Sequence, residues 1–280
     1  MMLPKLGILA GGGELPEIII QACRNQGREV FVVAFEDQAP SDAFRDVPHA
    51  RVRLGAAGRA LKHLHQAEVK DLVLAGSIQR PGLGALRPDL RAAKFFATTG
   101  AAMFGDNGLL AALIHMLEVE EGFRVVGVED LVPELLAPEG IYGSVKPTAT
   151  DWADINLGME AAKKLGAEDV GQAAIACHGA VTALEDAKGT DALLSRSTAE
   201  GQSQRAGVLV KVAKPNQERR ADLPTIGSET VQMALKAGLA GIAVEAGSAL
   251  IIDREEAIRA ADAADLFIAG VTVNQGQAVE

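Results

Sequence analysis

Aromatic side chains are scarce in this chain of 280 residues, at 4%, so stacking on bases or sugar faces is not a major means of recognition. Cysteine is scarcer still. Cys23 and Cys177 stand far apart in apolar runs, which fits buried reduced thiols in a reducing compartment rather than a disulfide framework. No apolar run approaches the roughly 18 residues that cross a bilayer. Gly-rich sequence begins by Gly11, before a signal peptide's hydrophobic stretch could form, so no such peptide is expected. An excess of basic residues is missing too. The formal net charge is −10, which argues against a nucleic-acid partner, since such proteins present a basic face. It leaves room for one anionic ligand in a local basic pocket. There is no H-E-x-x-H, G-x-S-x-G, P-loop or paired C-x-x-C, and a nucleophilic triad is therefore unsupported. Apart from the adjacent Cys177-His178, none of the histidines (His49, His63, His65, His115, His178) pairs at metal spacing with a second His or a Cys.

What is present is an ordinary soluble composition, 48% hydrophobic and 23% charged, over a length that suits one large or two ordinary domains. The first half alternates strand-like and helix-like segments. Leu6–Ala10, Val30–Phe35, Asp71–Ala75 and Phe123–Val128 read as strands. Leu15–Asn25, Ala57–Gln66, Leu90–Thr99 and Leu109–Glu120 read as helices. This β-α-β rhythm predicts a parallel sheet covered by helices, with ligands bound beyond the carboxyl ends of its strands. Residues 133–150 are rich in Pro and Gly and read as a linker, which separates a domain over 1–132 from one over 151–280. The second domain is α/β as well, and its strand order is not readable.

Several loops combine residues suited to an anionic ligand. Gly11-Gly12-Gly13 lies between a strand and a helix, where glycines allow close backbone approach and the helix start offers N–H groups to an anion. Pro16 occupies the place of the third glycine of the dinucleotide fingerprint, and Glu36 at the end of the second strand stands where a ribose-binding acid would. Gly76 and Ser77, followed by Gln79 and Arg80, leave the same end of the sheet. Gly105-Asp106 opens a helix, with Asp106 either its N-cap or a contact to a sugar or uracil group. Thr190 reads as another N-cap, with Asp191 in the first turn; the competing role is a phosphate or metal contact. Glu185 and Asp186, just before them, read as solvated acids.

The densest signal is KVAKPNQERRADLPTIG, Lys211 to Gly227. It mixes four cations, two carboxylates and two amides around two prolines. Cations meet phosphate oxygens and a carboxylate meets a hard metal, so the mixture suits a phosphorylated substrate and a metal ion. Lys211 and Lys214 both suit one anionic group. Arg219 and Arg220 point apart if that stretch is extended. Pro224 restricts Leu223 to an extended form and so gives Asp222 a defined direction. Thr225, Gly227 and Ser228 supply donors at the next helix start.

Taken together, GILAGGGELP, LAGSIQRP, LRPDL, FGDNGLL, VVGVEDLVPELLAPEG, GTDALL, KPNQERRADLPTIG and GIAVEAG resemble the LpxI-type UDP-2,3-diacylglucosamine pyrophosphatase family over nearly the whole chain. The resemblance implies a magnesium-dependent hydrolase of lipid A biosynthesis. Such an enzyme cleaves UDP-2,3-diacylglucosamine to UMP and 2,3-diacylglucosamine 1-phosphate (lipid X). It implies an N-terminal Rossmann-like domain, a linker and a C-terminal α/β domain of its own type, with the active site between the two. The important acid of the family's DLP motif falls on Asp222, and its glycine loop on Gly11–Gly13. The resemblance further leads us to expect a homodimer, and an enzyme of the cytoplasm in peripheral contact with the inner membrane. On this reading Asp222 holds the metal or the water, with Asp191 a second metal or phosphate contact. Lys211 and Lys214 hold phosphate, and Thr190, Thr225, Gly76, Ser77, Gly105 and Asp106 complete the substrate contacts. Two other classes remain open: a dinucleotide-dependent oxidoreductase and a non-catalytic nucleotide-sugar-binding module.

Overall fold

The computed structural model describes residues 3–40, 44–78, 86–100, 106–197, 205–215 and 217–272. The chain forms two compact units. One comprises Met1–Pro133 together with Glu218–Asp222, and the other comprises Glu134–Gln217 together with Leu223–Glu280.

The first unit follows the alternation seen in the sequence. Its elements are β1 (Leu6–Ala10), α1 (Leu15–Asn25), β2 (Val30–Phe35), β3 (His49–Val52), α2 (Ala57–Gln66), β4 (Asp71–Ala75), α3 (Leu90–Thr99), α4 (Asp106–His115), a π-helical turn (Met116–Glu120), β5 (Arg124–Val125) and α5 (Val128–Leu131). The strands pair in parallel in the order β3-β2-β1-β4-β5. All five residues of β1 are buried, as expected of a central parallel strand covered on both faces. Helix α1 buries Leu15, Ile19, Ile20 and Cys23 on one side, tolerates Pro16 in its first turn, and stops where Gly27 turns left-handed at φ +66°. At the opposite end of the sheet from the glycine loop, the buried Asp71 carboxylate accepts from Arg28 and from both Nε (2.9 Å) and a terminal nitrogen (2.6 Å) of Arg124. Two guanidinium groups thus compensate an anion that burial alone would make costly. The run 123–128, which reads as one strand, yields only the two residues of β5. Val128 instead begins α5, where the Asp130 carboxylate accepts the Gly127 N–H at 3.0 Å.

The second unit contains β6 (Gly140–Tyr142), α6 (Ala149–Ala167), β7 (Ala173–Cys177), β8 (Ala180–Leu184), α7 (Gly189–Arg196), β9 (Val208–Lys211), β10 (Thr225–Ile226), α8 (Ser228–Lys236), β11 (Gly241–Glu245), β12 (Leu250–Ile251), α9 (Arg254–Ala263) and β13 (Phe267–Val271). Its main sheet is mixed, in the order β6-β13-β11-β9-β7-β8, with β9, β11 and β13 parallel. One face packs Ile175, Leu209, Ile242 and Ile268 against Leu193, Val231, Ala234 and Ala257 of α7, α8 and α9. The other packs Val208, Val210, Ala243 and Phe267 against Ile155, Met159 and Ala162 of α6. Gly158 lets α6 lie close to the sheet, because a Cβ there would stand 2.5 Å from a Val210 methyl. The segment 133–150, which reads as a linker, holds a 3-10 turn (Pro133–Leu135), the edge strand β6 and the Thr148 cap of α6. Strand β6 exists because its backbone pairs with β13, a partner far along the chain that local sequence does not reveal.

Candidate active site

In the first unit, the carboxyl ends of β1 and β4 adjoin at the point where the strand order reverses, the usual ligand crevice of a doubly wound sheet. The two glycine loops are tied together there. Gly11 donates to the Ala75 carbonyl (2.9 Å), Gly12 to the Ser77 carbonyl (2.8 Å), and Ser77 back to the Gly12 carbonyl (2.9 Å). Side chains have no room between these backbones. A Cβ on Gly11 would lie 2.3 Å from the Ser77 oxygen, and one on Gly76, whose φ is +91°, 2.3 Å from the Gly12 oxygen. Gly13, at φ +81°, faces open space just before α1. Ser77 is exposed, and Glu36 is half-buried with its N–H on the Val52 carbonyl (2.8 Å). Gly11, Gly12, Gly13, Gly76 and Ser77 are thus brought to one crevice. Asp106 is the first residue of α4. Gly105, Gln79 and Arg80 lie outside the described residues.

In the second unit, Lys211 ends β9 with its side chain buried, and its Nζ donates to the Thr225 carbonyl (2.9 Å). Lys214 turns elsewhere: its Nζ pairs with Asp169 at 2.6 Å, just beyond α6. The two lysines, expected to share one anion, therefore hold different partners. Gly166 lets the end of α6 lie against Lys214, whose Cα is 3.3 Å from where a Cβ would stand. The Thr225 hydroxyl donates to the Leu223 carbonyl at 3.0 Å. Thr190 is not an N-cap, because α7 starts one residue earlier at Gly189 (φ +83°), after Lys188. Its hydroxyl donates to Glu185 (2.7 Å), whose other oxygen accepts the Gln172 N–H. Glu185 is buried rather than solvated, satisfied by those two donors. Asp186 is the exposed one of the pair, bonded to Arg196 at 3.0 Å. Asp191 is exposed in the first turn of α7.

Residues Glu218–Asp222 follow a different course from their neighbours, because they belong to the first unit. The Glu218 carbonyl accepts the N–H groups of Ala221 (2.9 Å) and Asp222 (3.1 Å), which closes a single helical turn ending at the acid. The Glu218 N–H donates to the amide oxygen of Asn107 in the first turn of α4 (2.8 Å). Arg220 grips the Glu218 carboxylate with Nε (2.9 Å) and one terminal nitrogen (2.8 Å), and Glu118 in the π-turn with the other (2.8 Å). Arg219 pairs with Glu129 at 3.6 Å. Ala221 packs on the core formed by Phe95, Ile114 and Leu117. The two arginines thus point apart and serve anchoring. The hydrogen bond from Arg220 is the first cause holding the Glu218 carboxyl below its ordinary value of 4.5, against a smaller upward push from burial. The Asp222 side chain is exposed, while Leu223 and Pro224 after it are buried.

Asn107, Glu118 and Glu129 escape a sequence reading, since nothing local tells what an amide or acid on a helix will meet. The only cue is the placement of Asn107 beside Asp106 in FGDNGLL. As a metal centre, no group of three or more His, Cys, Asp or Glu comes together among the described residues. A single directed carboxylate such as Asp222 nevertheless fits Mg²⁺ in its common mode, in which one or two carboxylates share the ion with substrate phosphates and water.

Comparison with known proteins agrees with this architecture. The LpxI N-terminal domain matches residues 5–135 and the LpxI C-terminal domain residues 138–269. The UDP-2,3-diacylglucosamine pyrophosphatase LpxI of Caulobacter vibrioides is 41% identical over 275 residues, covering 95% of this chain and 97% of that protein. With both domains matched in order and a relative aligned almost end to end, the chain belongs to the LpxI family.

Proposed function

We propose that this protein hydrolyses the pyrophosphate of UDP-2,3-diacylglucosamine in lipid A biosynthesis. The products are UMP and 2,3-diacylglucosamine 1-phosphate. The observation that carries the reading is the near full-length identity to a pyrophosphatase of that substrate. The geometry supports it. The glycine loops at β1 and β4 lock to one another and leave open space only at Gly13, before α1, where a phosphate or nucleoside group would sit; Lys211 is a fixed cation, and the 218–222 turn carries Asp222.

In hydrolysis the oxygen of water bonds to one phosphorus, and the bridging oxygen leaves with the other phosphate. Asp222 orients that water or accepts its proton, and the charge that grows on the phosphoryl oxygens calls for cationic or N–H partners. Mg²⁺, when bound to Asp222 and the substrate phosphates, would polarise the attacked group and acidify the water. Asp191 has no assigned role in this mechanism. The acyl chains imply peripheral contact with the inner membrane from the cytoplasm, and a homodimer is the assembly inferred from the family. Among the described residues no helix is long and apolar enough to cross a membrane.

The test is product analysis by mass spectrometry in ¹⁸O-water, with and without Mg²⁺. Expected products are UMP and the sugar 1-phosphate, one of them carrying a single label, and formed only with the ion. Asp222→Ala should lower turnover by about 10³-fold or more, the scale of a lost transition-state contact, while substrate still binds. UMP should raise the melting temperature and NAD(P) should not. Stabilisation by NAD(P) without hydrolysis would favour an oxidoreductase.

A further inference from the structure

The acid expected to matter most sits on a turn of only five residues, and that turn is held by the first unit although its neighbours in sequence on both sides belong to the second. Such a short turn has no core of its own, so its direction is set by whatever grips it. The grips are few and specific. The Asn107 amide oxygen accepts the Glu218 N–H at 2.8 Å, and the carbonyl of the same Glu218 accepts the Asp222 N–H at 3.1 Å. One residue therefore separates the Asn107 side chain from the backbone of the acid. The other grips are Glu118, which takes Arg220 at 2.8 Å, Glu129, which pairs with Arg219 at 3.6 Å, and the core on which Ala221 packs. Asn107 and Glu118 lie on one helical stretch running from α4 into the π-turn, and both reach the 218–222 turn. The π-turn is a wide, uncommon stretch of helix of the kind found at functional sites, and Glu118 is inside it.

We propose that Asn107 is a positioning residue for the hydrolysis, acting through Glu218 on the direction of Asp222, with Glu118 and Arg220 as its second anchor. The proposal rests on the catalytic reading of Asp222 given above. Asn107 touches neither substrate nor reacting atoms in this account. Its amide oxygen fixes one end of a single turn, and Asp222 is the other end. A displacement of about 1 Å in a group that must meet a reacting centre is worth roughly 100-fold in rate.

Steady-state kinetics on the full-length chain with UDP-2,3-diacylglucosamine and Mg²⁺ test this. Asn107→Leu keeps the size and loses the acceptor. It should lower kcat by about 30- to 100-fold on the same scale, with KM within threefold of the wild-type value and the melting temperature within a few degrees. Asn107→Asp retains an oxygen for the Glu218 N–H and should recover most of the loss. Glu118→Gln retains an acceptor for Arg220 and should stay near wild type, whereas Glu118→Leu should resemble Asn107→Leu. Asn107→Leu turning over within threefold of wild type would overturn the proposal. So would a loss that Asn107→Asp fails to recover, or one that appears in KM alone. A wild-type chain without hydrolase activity would instead remove the functional reading on which the proposal stands.

Discussion

At the scale of single residues, the glycine crevice is held by sterics rather than by chemistry. Gly11 and Gly76 each meet a carbonyl oxygen where a Cβ would stand, and Gly76 has in addition a left-handed φ of +91°. Gly76→Ala should therefore destabilise the protein by roughly 1–3 kcal/mol, the left-handed penalty plus the cost of separating two backbones. It should also weaken UMP binding, because the loop after β1 must move. Urea unfolding and calorimetric titration with UMP measure the two effects, and an unchanged variant would mean that the loops are not locked together. The need for glycine at Gly11 was legible in GILAGGGELP, since clustered glycines after a strand point to close backbone approach; the same need at Gly76, alone in LAGSIQRP, was not. Nor were the partners. That Gly12 and Ser77 exchange hydrogen bonds is a contact across 65 positions, and no local pattern encodes it. Thr190 shows the opposite failure. A threonine before an acid in GTDALL reads as a cap, yet the left-handed Gly189 starts the helix one residue earlier and turns its hydroxyl to the buried Glu185.

At the scale of elements, the turn from Glu218 to Asp222 ties its own conformation to a titration. Arg220 holds the Glu218 carboxyl below its ordinary value of 4.5. A carboxyl whose pKa is depressed in the folded state adds stability that is present above the ordinary value and is lost as pH falls through the depressed one. The turn should therefore loosen on acidification below about pH 4.5. Hydrogen exchange, corrected for intrinsic rates, should show the Ala221 and Asp222 amides losing protection over that window before the central strands do. Glu218→Gln should flatten the dependence, and a wild-type chain whose two amides follow the central strands would contradict it. Sequence reasoning identified the segment as the place where charges gather; it expected Arg219 and Arg220 to diverge on an extended stretch, whereas they diverge on a helical turn. It did not reveal that the arginines anchor the turn. An arginine suits a phosphate and a glutamate equally well, and only the positions of Glu118 and Glu129 decide between them.

At the scale of the whole molecule, the chain passes from the second unit into the first at Glu218 and back at Leu223. A cut after Pro133 therefore leaves both fragments incomplete: 1–133 lacks the turn that carries Asp222, and 134–280 carries that turn without α4 and the π-turn that grip it. Each fragment expressed alone should be inactive, as an assay of UMP release would report, and activity in the isolated second fragment would refute this dependence on the first. The sequence by itself determined the alternation of strands and helices, the α/β class and the glycine and lysine-rich loops. Each of these depends on local periodicity or on the conformational needs of one residue type. Tertiary structure alone decided the order β6-β13-β11-β9-β7-β8, the separate partners of Lys211 and Lys214, and the return of residues 218–222 to the first unit. Those are choices among distant partners of equal chemical merit, settled by which surfaces the packed cores bring together.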